Sequence, residues 1–352
     1  MIEAAVVGAA GYGGGELLRL LANHPNAHLN CAISETFSGQ PLSKAFPGLT
    51  GIASMRQTRF EGYRDGSAVA KCDVVFMAQE NTKAMELAPQ LLAAGCKIVD
   101  LSADFRFRNV DTYAEWYGKP HVCPGVNAEA VYGLPELHRE AIRHTLVVGN
   151  PGCHATAGIL GLAPLVQHGW LDTRSVIIDS KTGVSGGGRS KFALEYHFPE
   201  INESVSAYKI GGTHRHTPEI EMALGGLAQE TIPFPITFTP HLIPMTRGIL
   251  ATCYGTLLQP KSTEEVVDLY NAFYAEAPFV ALSQDPLPAT KHTLGTNYCH
   301  IGLRVDPRHH RVTIISCIDN LVKGAAGQAI QNMNLMCGFD ETAGLQLGGL
   351  WP

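Results

Sequence analysis

The chain has 352 residues, of which 45% are hydrophobic and 16% are charged, and its formal net charge is −6. A chain this apolar can bury a sizeable core, which excludes a disordered or fibrous protein, and its length favours two domains. The mild negative charge argues against a protein that coats nucleic acid or an anionic membrane, so we expect neither as a partner. No apolar run approaches the roughly 18 residues of a membrane helix, and no basic leader precedes the first strand-like run, so we expect a cytoplasmic protein.

The first half of the chain alternates short apolar runs with longer amphipathic ones. This alternation predicts right-handed βαβ units and a parallel sheet. The predicted strands cover residues 3–7, 29–33, 73–77, 97–100 and 146–148, and the predicted helices cover residues 16–22 and 82–94.

The second half is richer in strands, with longer insertions between them. This pattern predicts an α+β domain with a mixed or antiparallel sheet. Helical periodicity returns over residues 324–336, and we expect this last helix to pack against the first domain. The predicted strands lie at residues 176–179, 237–241, 248–258, 300–305 and 311–316.

A glycine-rich turn joins the first strand to the first helix. Gly8, Gly11 and Gly14 have the spacing GxxGxxG, a variant of the dinucleotide fingerprint. Glycines at these places let the backbone approach a pyrophosphate that sits on the N–H groups of the helix. The position between strand and helix favours this interpretation over a simple tight turn. At the end of the second strand, Glu35 would favour NAD, whereas Ser34 and Ser38 could receive the 2′-phosphate of NADP.

One cysteine stands in a context that suits a nucleophile. The nine cysteines are scattered without a CxxC pair, which predicts neither a structural zinc site nor a disulfide framework. Cys153 alone follows a strand and the turn Asn-Pro-Gly and opens a helical run. At a helix N-terminus the macrodipole and the open N–H groups stabilise a thiolate and could also serve an oxyanion.

Two later segments carry polar side chains suited to the same chemistry. The Gly/Ser-rich segment 180–189 ends in Arg189 and could line a site for an anionic substrate. In the segment 209–219, His214 and His216 would share one face of a strand, and either could serve Cys153 as the base. A metal site is not expected, because no further ligands stand at suitable spacing.

Eight segments spread over nearly the whole chain resemble the N-acetyl-gamma-glutamyl-phosphate reductases of arginine biosynthesis. Any one of them would be weak evidence, but together they are specific. They are Gly-Ala-Ala-Gly-Tyr-Gly-Gly from residue 8, Asp-Leu-Ser-Ala-Asp-Phe-Arg from 100, Tyr-Gly-Leu-Pro-Glu from 132, Gly-Asn-Pro-Gly-Cys from 149, Gly-Val-Ser-Gly-Gly-Gly-Arg from 183, His-Arg-His-Thr-Pro-Glu-Ile from 214, Thr-Pro-His-Leu-Ile-Pro-Met-Thr-Arg-Gly-Ile from 239 and Asp-Asn-Leu-Val-Lys-Gly-Ala-Ala-Gly-Gln from 319.

The resemblance implies an α/β fold with two domains. Residues 1–152 and 321–352 would form a Rossmann dinucleotide-binding domain, to which the C-terminal helix returns. Residues 153–320 would form an inserted α+β domain for catalysis and dimerisation. The resemblance further implies NADPH as cofactor, a small acyl-phosphate substrate and a homo-oligomer, either a dimer or a tetramer.

The resemblance also implies roles for single residues. It places the nucleophile at Cys153 and the catalytic histidine within residues 214–216. Aspartate-semialdehyde dehydrogenases are similar in fold and order, and there a histidine follows a basic substrate-binding side chain by seven residues. With Lys209 at that basic position, the histidine is His216, and His214 is left to the substrate. The other implied contacts are Arg106 with the phosphate, Asn150 and Ser180 with the substrate, Asn320 with the nicotinamide amide, and Tyr12, Gly13, Ser185 and Gly186 with the cofactor.

These expectations combine into a thioester mechanism. Cys153 would attack an acyl phosphate and expel phosphate, the nicotinamide would reduce the thioester, and His216 would act as general acid and base. Aspartate-semialdehyde dehydrogenase is the alternative within the class, and its substrate's free amine would call for an acidic group in the site. A catalytically silent dinucleotide-binding regulator is disfavoured, because nucleophile and histidine are both present.

Overall fold

The computed structural model describes residues 1–63, 66, 68–190, 193–228 and 234–350, and these fall into two compact units. The first unit holds Met1–Pro151, Gly188–Ser190 and Ala325–Gln346, and the second holds the other described residues between 152 and 350. Residues 321–324 and 347–350, which the expected boundaries give to the first domain, group with the second unit.

The first unit contains a parallel sheet of seven strands. Its order, β3-β2-β1-β4-β5-β7-β6, confirms the predicted Rossmann-type α/β architecture. The elements up to the end of this sheet are β1 Ile2–Val7, α1 Tyr12–Leu21, β2 Ala27–Ile33, α2 Leu42–Ala45, β3 Phe60–Glu61, β4 Val74–Met77, α3 Lys83–Ala93, β5 Lys97–Asp100, α4 Val110–Tyr117, α5 Pro124–Glu129, β6 Val131–Tyr132, α6 Pro135–His144 and β7 Val147–Gly149.

The second unit contains a mixed sheet of seven strands in the order β12-β13-β14-β11-β8-β10-β9. Two of its strand pairs, β8 with β10 and β12 with β13, are parallel, and the others are antiparallel. The remaining elements are α7 Cys153–Gln167, β8 Leu171–Thr182, α8 Phe198–Ile201, β9 Ser206–Ala207, α9 Thr217–Ala228, β10 Thr237–Leu242, β11 Ile249–Leu257, α10 Thr263–Phe273, β12 Val280–Leu282, β13 Cys299–Asp306, β14 Arg311–Ile318 and α11 Gly327–Met336.

Burial explains the sequence pattern of each sheet. All four residues of β4 are buried, as expected for a parallel strand covered on both faces. In the second unit β8 alternates buried and half-buried positions, because α7 packs against one face of that sheet. The long helix α7 is buried over thirteen of its fifteen residues. The last helix, α11, packs against α1, α6 and β5 within the first unit.

Candidate active site

The glycine turn of the first unit has the geometry of a phosphate-binding loop. Gly8 has a φ of +86°, and a Cβ there would lie 2.4 Å from the carbonyl oxygen of Ala78. A Cβ on Gly14 would lie 2.5 Å from the oxygen of Gly8. Gly11 precedes α1 and no side chain caps that helix, so the turn leaves its first N–H groups to a ligand. The predicted Tyr12 and Gly13 form the first turn of α1.

This turn lies where the strand order reverses. The strands β2 and β4 flank β1 on opposite sides, and the chain runs from β1 first to β2 and later back to β4. In open parallel sheets, ligands bind at the carboxyl ends of the strands at such a switch point. The candidate cofactor site is therefore at the edge formed by the ends of β1 and β4.

At the end of β2, the acidic side chain turns toward β3. Glu35 Oε1 accepts a hydrogen bond of 2.7 Å from the backbone N–H of Tyr63, which follows β3. Ser34 is buried, and its Oγ accepts from the N–H of Phe37 at 3.4 Å. Ser38 Oγ lies 3.2 Å from where a Cβ on Gly62 would stand. The structure thus gives Glu35 a protein partner on the side of β2 away from the glycine turn.

Two residues predicted to contact the substrate lie together in the first unit. Arg106 is buried, and its guanidinium donates to the carbonyl oxygens of Asn150, at 2.8 Å, and Leu101, at 3.0 Å. The side chain of Asn150 donates to Ala325 O at 3.1 Å and accepts from Asn332 at 3.0 Å. These bonds join the end of β7 to the chain around α11.

A third group of predicted residues lies together in the second unit. Asn320 Oδ1 accepts from the N–H of Gly248 at 2.7 Å, and Asn320 Nδ2 donates to Ser185 Oγ at 3.0 Å. A Cβ on Gly186 would lie 3.8 Å from the same Nδ2. Asn320, which was assigned to the nicotinamide amide, is therefore a neighbour of Ser185 and Gly186, which were assigned to the cofactor, and Asn320 and Ser185 are buried.

The candidate nucleophile stands at a helix N-terminus, as predicted. Cys153 is the first residue of α7, Gly152 precedes it in extended conformation, and no side chain caps the helix. Cys153 is half-buried, whereas seven of the other eight cysteines are buried. The open N–H groups and the dipole of a 15-residue helix favour a thiolate at this position.

His216 lies directly against the residue before the nucleophile. A Cβ on Gly152 would stand 2.4 Å from His216 Nε2, so only glycine leaves room for the imidazole there. The N–H of Gly152 donates to Glu219 Oε1 at 2.8 Å, and Glu219 is fully buried in the first turn of α9. The same short segment, residues 216–219, thus supplies both the imidazole and the acceptor that fixes this glycine.

The expectation that His214 and His216 alternate on a strand is wrong. Residues 214–216 form a turn that leads into α9, because Thr217-Pro218-Glu219 starts a helix and proline suits its first turn. The two rings nevertheless lie 4.8 Å apart, and His214 Nδ1 accepts from the backbone N–H of His216 at 3.0 Å.

A third histidine, which the sequence patterns did not assign, completes a cluster. His154 Nδ1 is 2.7 Å from Ser180 Oγ, and its Nε2 is 3.1 Å from Tyr208 Oη. Its ring meets those of His214 and His216 edge to face at 5.7 and 5.8 Å. Ser180, which was predicted to contact the substrate, is fully buried, and its hydroxyl lies against His154.

Burial keeps two of these imidazoles uncharged. Burial, with a smaller contribution from His214, lowers the pKa of His154 to about 3. Burial, followed by the charges of Lys209 and Arg215, lowers the pKa of His214 to about 4. Near neutral pH both rings are therefore neutral, and each has one nitrogen that donates and one that accepts.

Besides His154, sequence reasoning gave no role to Tyr208 and Glu219, which also belong to this site. Burial, and then the charge of Cys153, raises the pKa of Tyr208 above its usual range, so its hydroxyl stays protonated. Both stand beside residues that were assigned: Tyr208 precedes Lys209, and Glu219 is three residues after His216. Lys209 itself is exposed, with a φ of +45°.

Within the described ranges, no three histidine, cysteine or acidic side chains are grouped to hold a metal ion. The helices of the described chain include none with both the length and the apolar character of a membrane span.

Two family models match most of the chain. Residues 3–145 match the semialdehyde dehydrogenase NAD binding domain, and residues 153–320 match the semialdehyde dehydrogenase dimerisation domain. The chain therefore carries a domain for a nicotinamide dinucleotide. It is also similar over its whole length to curated proteins named N-acetyl-gamma-glutamyl-phosphate reductase. That of Symbiobacterium thermophilum is 52% identical and that of Geobacter sulfurreducens is 48% identical, with 100% of this chain and 99–100% of each relative covered.

Solved structures support the fold. The aspartate semialdehyde dehydrogenase II of Vibrio cholerae, complexed with ASA, aligns with a TM-score of 0.73 at 16% identity, over 96% of this chain and 98% of that one. The aspartate semialdehyde dehydrogenase of Candida albicans with NADP aligns with a TM-score of 0.71 at 16% identity and the same coverage. At this identity the likeness concerns the fold alone.

The buried neutral histidines predict a loss of stability in acid. A histidine whose pKa is lower in the folded state binds protons preferentially when the protein is unfolded. Its contribution to the free energy of unfolding is therefore complete above the unfolded pKa near 6.5, and it decreases as the pH drops toward the folded pKa. For His154 the expected decrease in unfolding free energy between pH 7 and pH 5 is about 2 kcal/mol. Urea unfolding of His154→Gln should therefore show a smaller decrease in unfolding free energy over this interval than the unaltered protein. His144→Gln, which removes an exposed imidazole, is the control. An equal decrease in both variants would contradict a neutral buried His154.

Proposed function

Because this chain belongs to the N-acetyl-gamma-glutamyl-phosphate reductase family, we propose that it reduces N-acetyl-gamma-glutamyl phosphate to N-acetylglutamate 5-semialdehyde and phosphate. The observation that carries this proposal is the arrangement of Cys153 at the start of α7 with His216 packed on Gly152. Relatives of this name, 46–52% identical over their full length, supply the substrate.

The first chemical step belongs to Cys153 and His216. The Cys153 thiolate attacks the acyl carbon, a C–S bond forms and the C–O bond to phosphate breaks. Protonated His216 stabilises the thiolate before the attack and gives its proton to the departing phosphate. When the reduced adduct collapses to the aldehyde, the sulfur leaves as thiolate and His216 regains a proton from water. The open N–H groups at the start of α7 suit the oxyanion formed during the attack.

The cationic residues are proposed to bind the anionic substrate. Arg106, whose guanidinium is fixed by two backbone carbonyls, binds the phosphate group. Lys209, an exposed cation close enough to lower the pKa of His214, binds a second anionic group of the substrate.

NADPH is the proposed hydride donor. Once bound, the nicotinamide would supply the hydride for reduction of the acyl carbon that Cys153 holds. The residues present fit such a group, since side chains at Gly8 and Gly14 would clash with the backbone of Ala78 and of Gly8, so only glycines allow the tight turn that leaves the first N–H groups of α1 open. The hydrogen bond from Tyr63 N–H turns Glu35 toward β3, which favours a cofactor with a 2′-phosphate over one whose ribose needs a carboxylate partner.

The enzyme is proposed to work as a homo-oligomer in the cytoplasm. The match of residues 153–320 to a dimerisation domain supports a dimer or a tetramer. All nine cysteines are free thiols, which suits a reducing compartment.

The proposed activity can be tested in the oxidative direction. With phosphate and NADP, N-acetylglutamate semialdehyde should give at least about a hundredfold higher kcat/KM than aspartate semialdehyde, because a free ammonium would bury an unpaired charge where the acetyl group is expected. NADP reduction is followed by its absorbance. A preference for aspartate semialdehyde would establish the alternative, which the full-length relatives do not favour.

Cys153→Ser should abolish turnover without loss of cofactor binding. A serine hydroxyl is far less acidic than a thiol, and the site has no stronger base for it. Steady-state assays and titration with the dinucleotide measure the two effects. Cys337→Ser, at the other half-buried cysteine, is the control and should keep full activity. If Cys153→Ser retained more than about a tenth of the activity, the thioester mechanism would be wrong.

His216→Asn should lower kcat by about 10²–10⁴-fold, the usual range for a positioned acid–base group. It should also slow alkylation of Cys153 near pH 7, because the thiolate loses its cationic partner. His214→Asn is the matched control: its imidazole is already neutral at this pH, so alkylation should change little. If His214 and not His216 controlled the alkylation rate, the two roles would be exchanged.

A further inference from the structure

One arginine from the second half of the chain lies at the glycine turn of the first unit. Arg189 follows the Gly/Ser-rich segment, and residues Gly188–Ser190 group with the first unit. Its Nη1 donates to the carbonyl oxygen of Ala10, between Gly8 and Gly11, at 3.2 Å. Arg189, the last residue of the segment that was expected to line a site for an anionic substrate, thus contacts the glycine turn of the first unit.

Two phenylalanine rings hold the guanidinium in place. Its carbon lies 5.1 Å from the centre of the Phe46 ring and 5.5 Å from that of Phe37. Phe46 is anchored at the start of α1, because its ring fills the space where a side chain on Gly15 would stand. Phe37 lies just beyond β2 and packs on Phe60 at 5.7 Å. Aromatic contacts with an arginine engage its flat faces and leave its N–H edges for hydrogen bonds.

The position of Arg189 corresponds to the adenosine end of a bound dinucleotide. Ala10 belongs to the loop that approaches the phosphates, and Phe37 to the segment after β2 that meets the ribose. Arg189 contacts both, whereas the pyrophosphate is expected on the N–H groups of α1.

Within the part of the chain that the structure describes, the charge of Arg189 is not paired with an acidic side chain. Among the described residues, no carboxylate is within ion-pair distance of it, and the hydrogen bond to Ala10 is the one it makes there. Glu35, the acid at the end of β2, accepts instead from Tyr63 N–H. A guanidinium has five N–H groups, and it is well suited to bind a phosphate through two of them.

We propose that Arg189 binds the 2′-phosphate of NADPH and thereby determines the preference of this enzyme for NADPH over NADH. The inference rests on the proposed function only in taking a nicotinamide dinucleotide as cofactor. The hydroxyl of Ser34 or Ser38 at the end of β2 can donate to the same phosphate. The rings of Phe37 and Phe46 keep the arginine ordered before the cofactor arrives, which lowers the entropy lost on binding.

The test measures binding of two adenosine fragments that differ by one phosphate. In calorimetric titrations of the full chain, Arg189→Met should weaken binding of 2′,5′-ADP by about 10–100-fold, the range expected for a charge-assisted pair, and leave 5′-AMP unchanged. Arg189→Lys keeps the charge but not the paired N–H groups of the guanidinium, so its affinity for 2′,5′-ADP should lie between those of the unaltered protein and Arg189→Met. This second variant keeps the proposal testable if the methionine variant does not fold. Arg59→Met is the matched control, since Arg59 is an exposed arginine of the same unit that donates to Gly39 O at 3.0 Å.

Four outcomes would overturn the proposal. Equal weakening of both fragments would assign Arg189 to the pyrophosphate or to the shape of the loop. Loss of 2′,5′-ADP selectivity in Arg59→Met and not in Arg189→Met would transfer the role to Arg59. Unchanged selectivity in both variants would leave the recognition to the serines. An active Arg189→Met enzyme with an unchanged ratio of kcat/KM for NADPH and NADH would refute this inference but not the proposed function. Fragment binding requires no turnover, so the binding result would stand even if the proposed reductase activity were not found.

Discussion

The close approach of His216 to Gly152 is the constraint on which the catalytic unit depends. The imidazole occupies the space that any Cβ at residue 152 would need, and the buried Glu219 accepts the N–H of the same glycine. One residue later the chain turns into α7 with Cys153 at its first position. A larger residue at 152 would displace the imidazole and the helix start together. The relative position of Cys153 and His216, the proposed nucleophile and base, therefore depends on backbone packing more than on flexible side chains.

The histidine cluster shows how a buried polar site remains compatible with a stable core. His154 and His214 lose their charge on burial, and each bonds through its ring nitrogens to a hydroxyl or a backbone N–H. Buried polar groups of this kind cost little when they are satisfied and much when they are not. The two neutral rings lie beside His216 and limit the orientations that its imidazole can take.

The first unit has a different requirement, since a loop that binds phosphates needs positive charge beside it. Its glycine turn offers backbone N–H groups but no cation, and Glu35, the acidic side chain at the end of β2, accepts a hydrogen bond from the N–H of Tyr63. Arg189 provides the charge from a distant part of the chain, and two aromatic rings hold it there. Backbone dipoles and one ordered guanidinium together suit a ligand that carries several phosphates.

The sequence by itself determined those features that depend on neighbouring residues. The turn Gly8–Gly14 between a strand and a helix, the start of α7 at Cys153 and the change from a parallel to a mixed sheet all follow from local periodicity and from glycine placement. The strand expected at residues 214–216 was wrong, because Pro218 and Glu219 favour a helix start over continued extension. Only the tertiary structure decided the partners separated by long stretches of chain: Glu219 with Gly152 across 67 positions, and Arg189 with Ala10 across 179. Such contacts leave no periodic signal in the sequence, since a hydrogen bond or a ring contact depends on where two distant backbones meet and not on the residues that flank either partner.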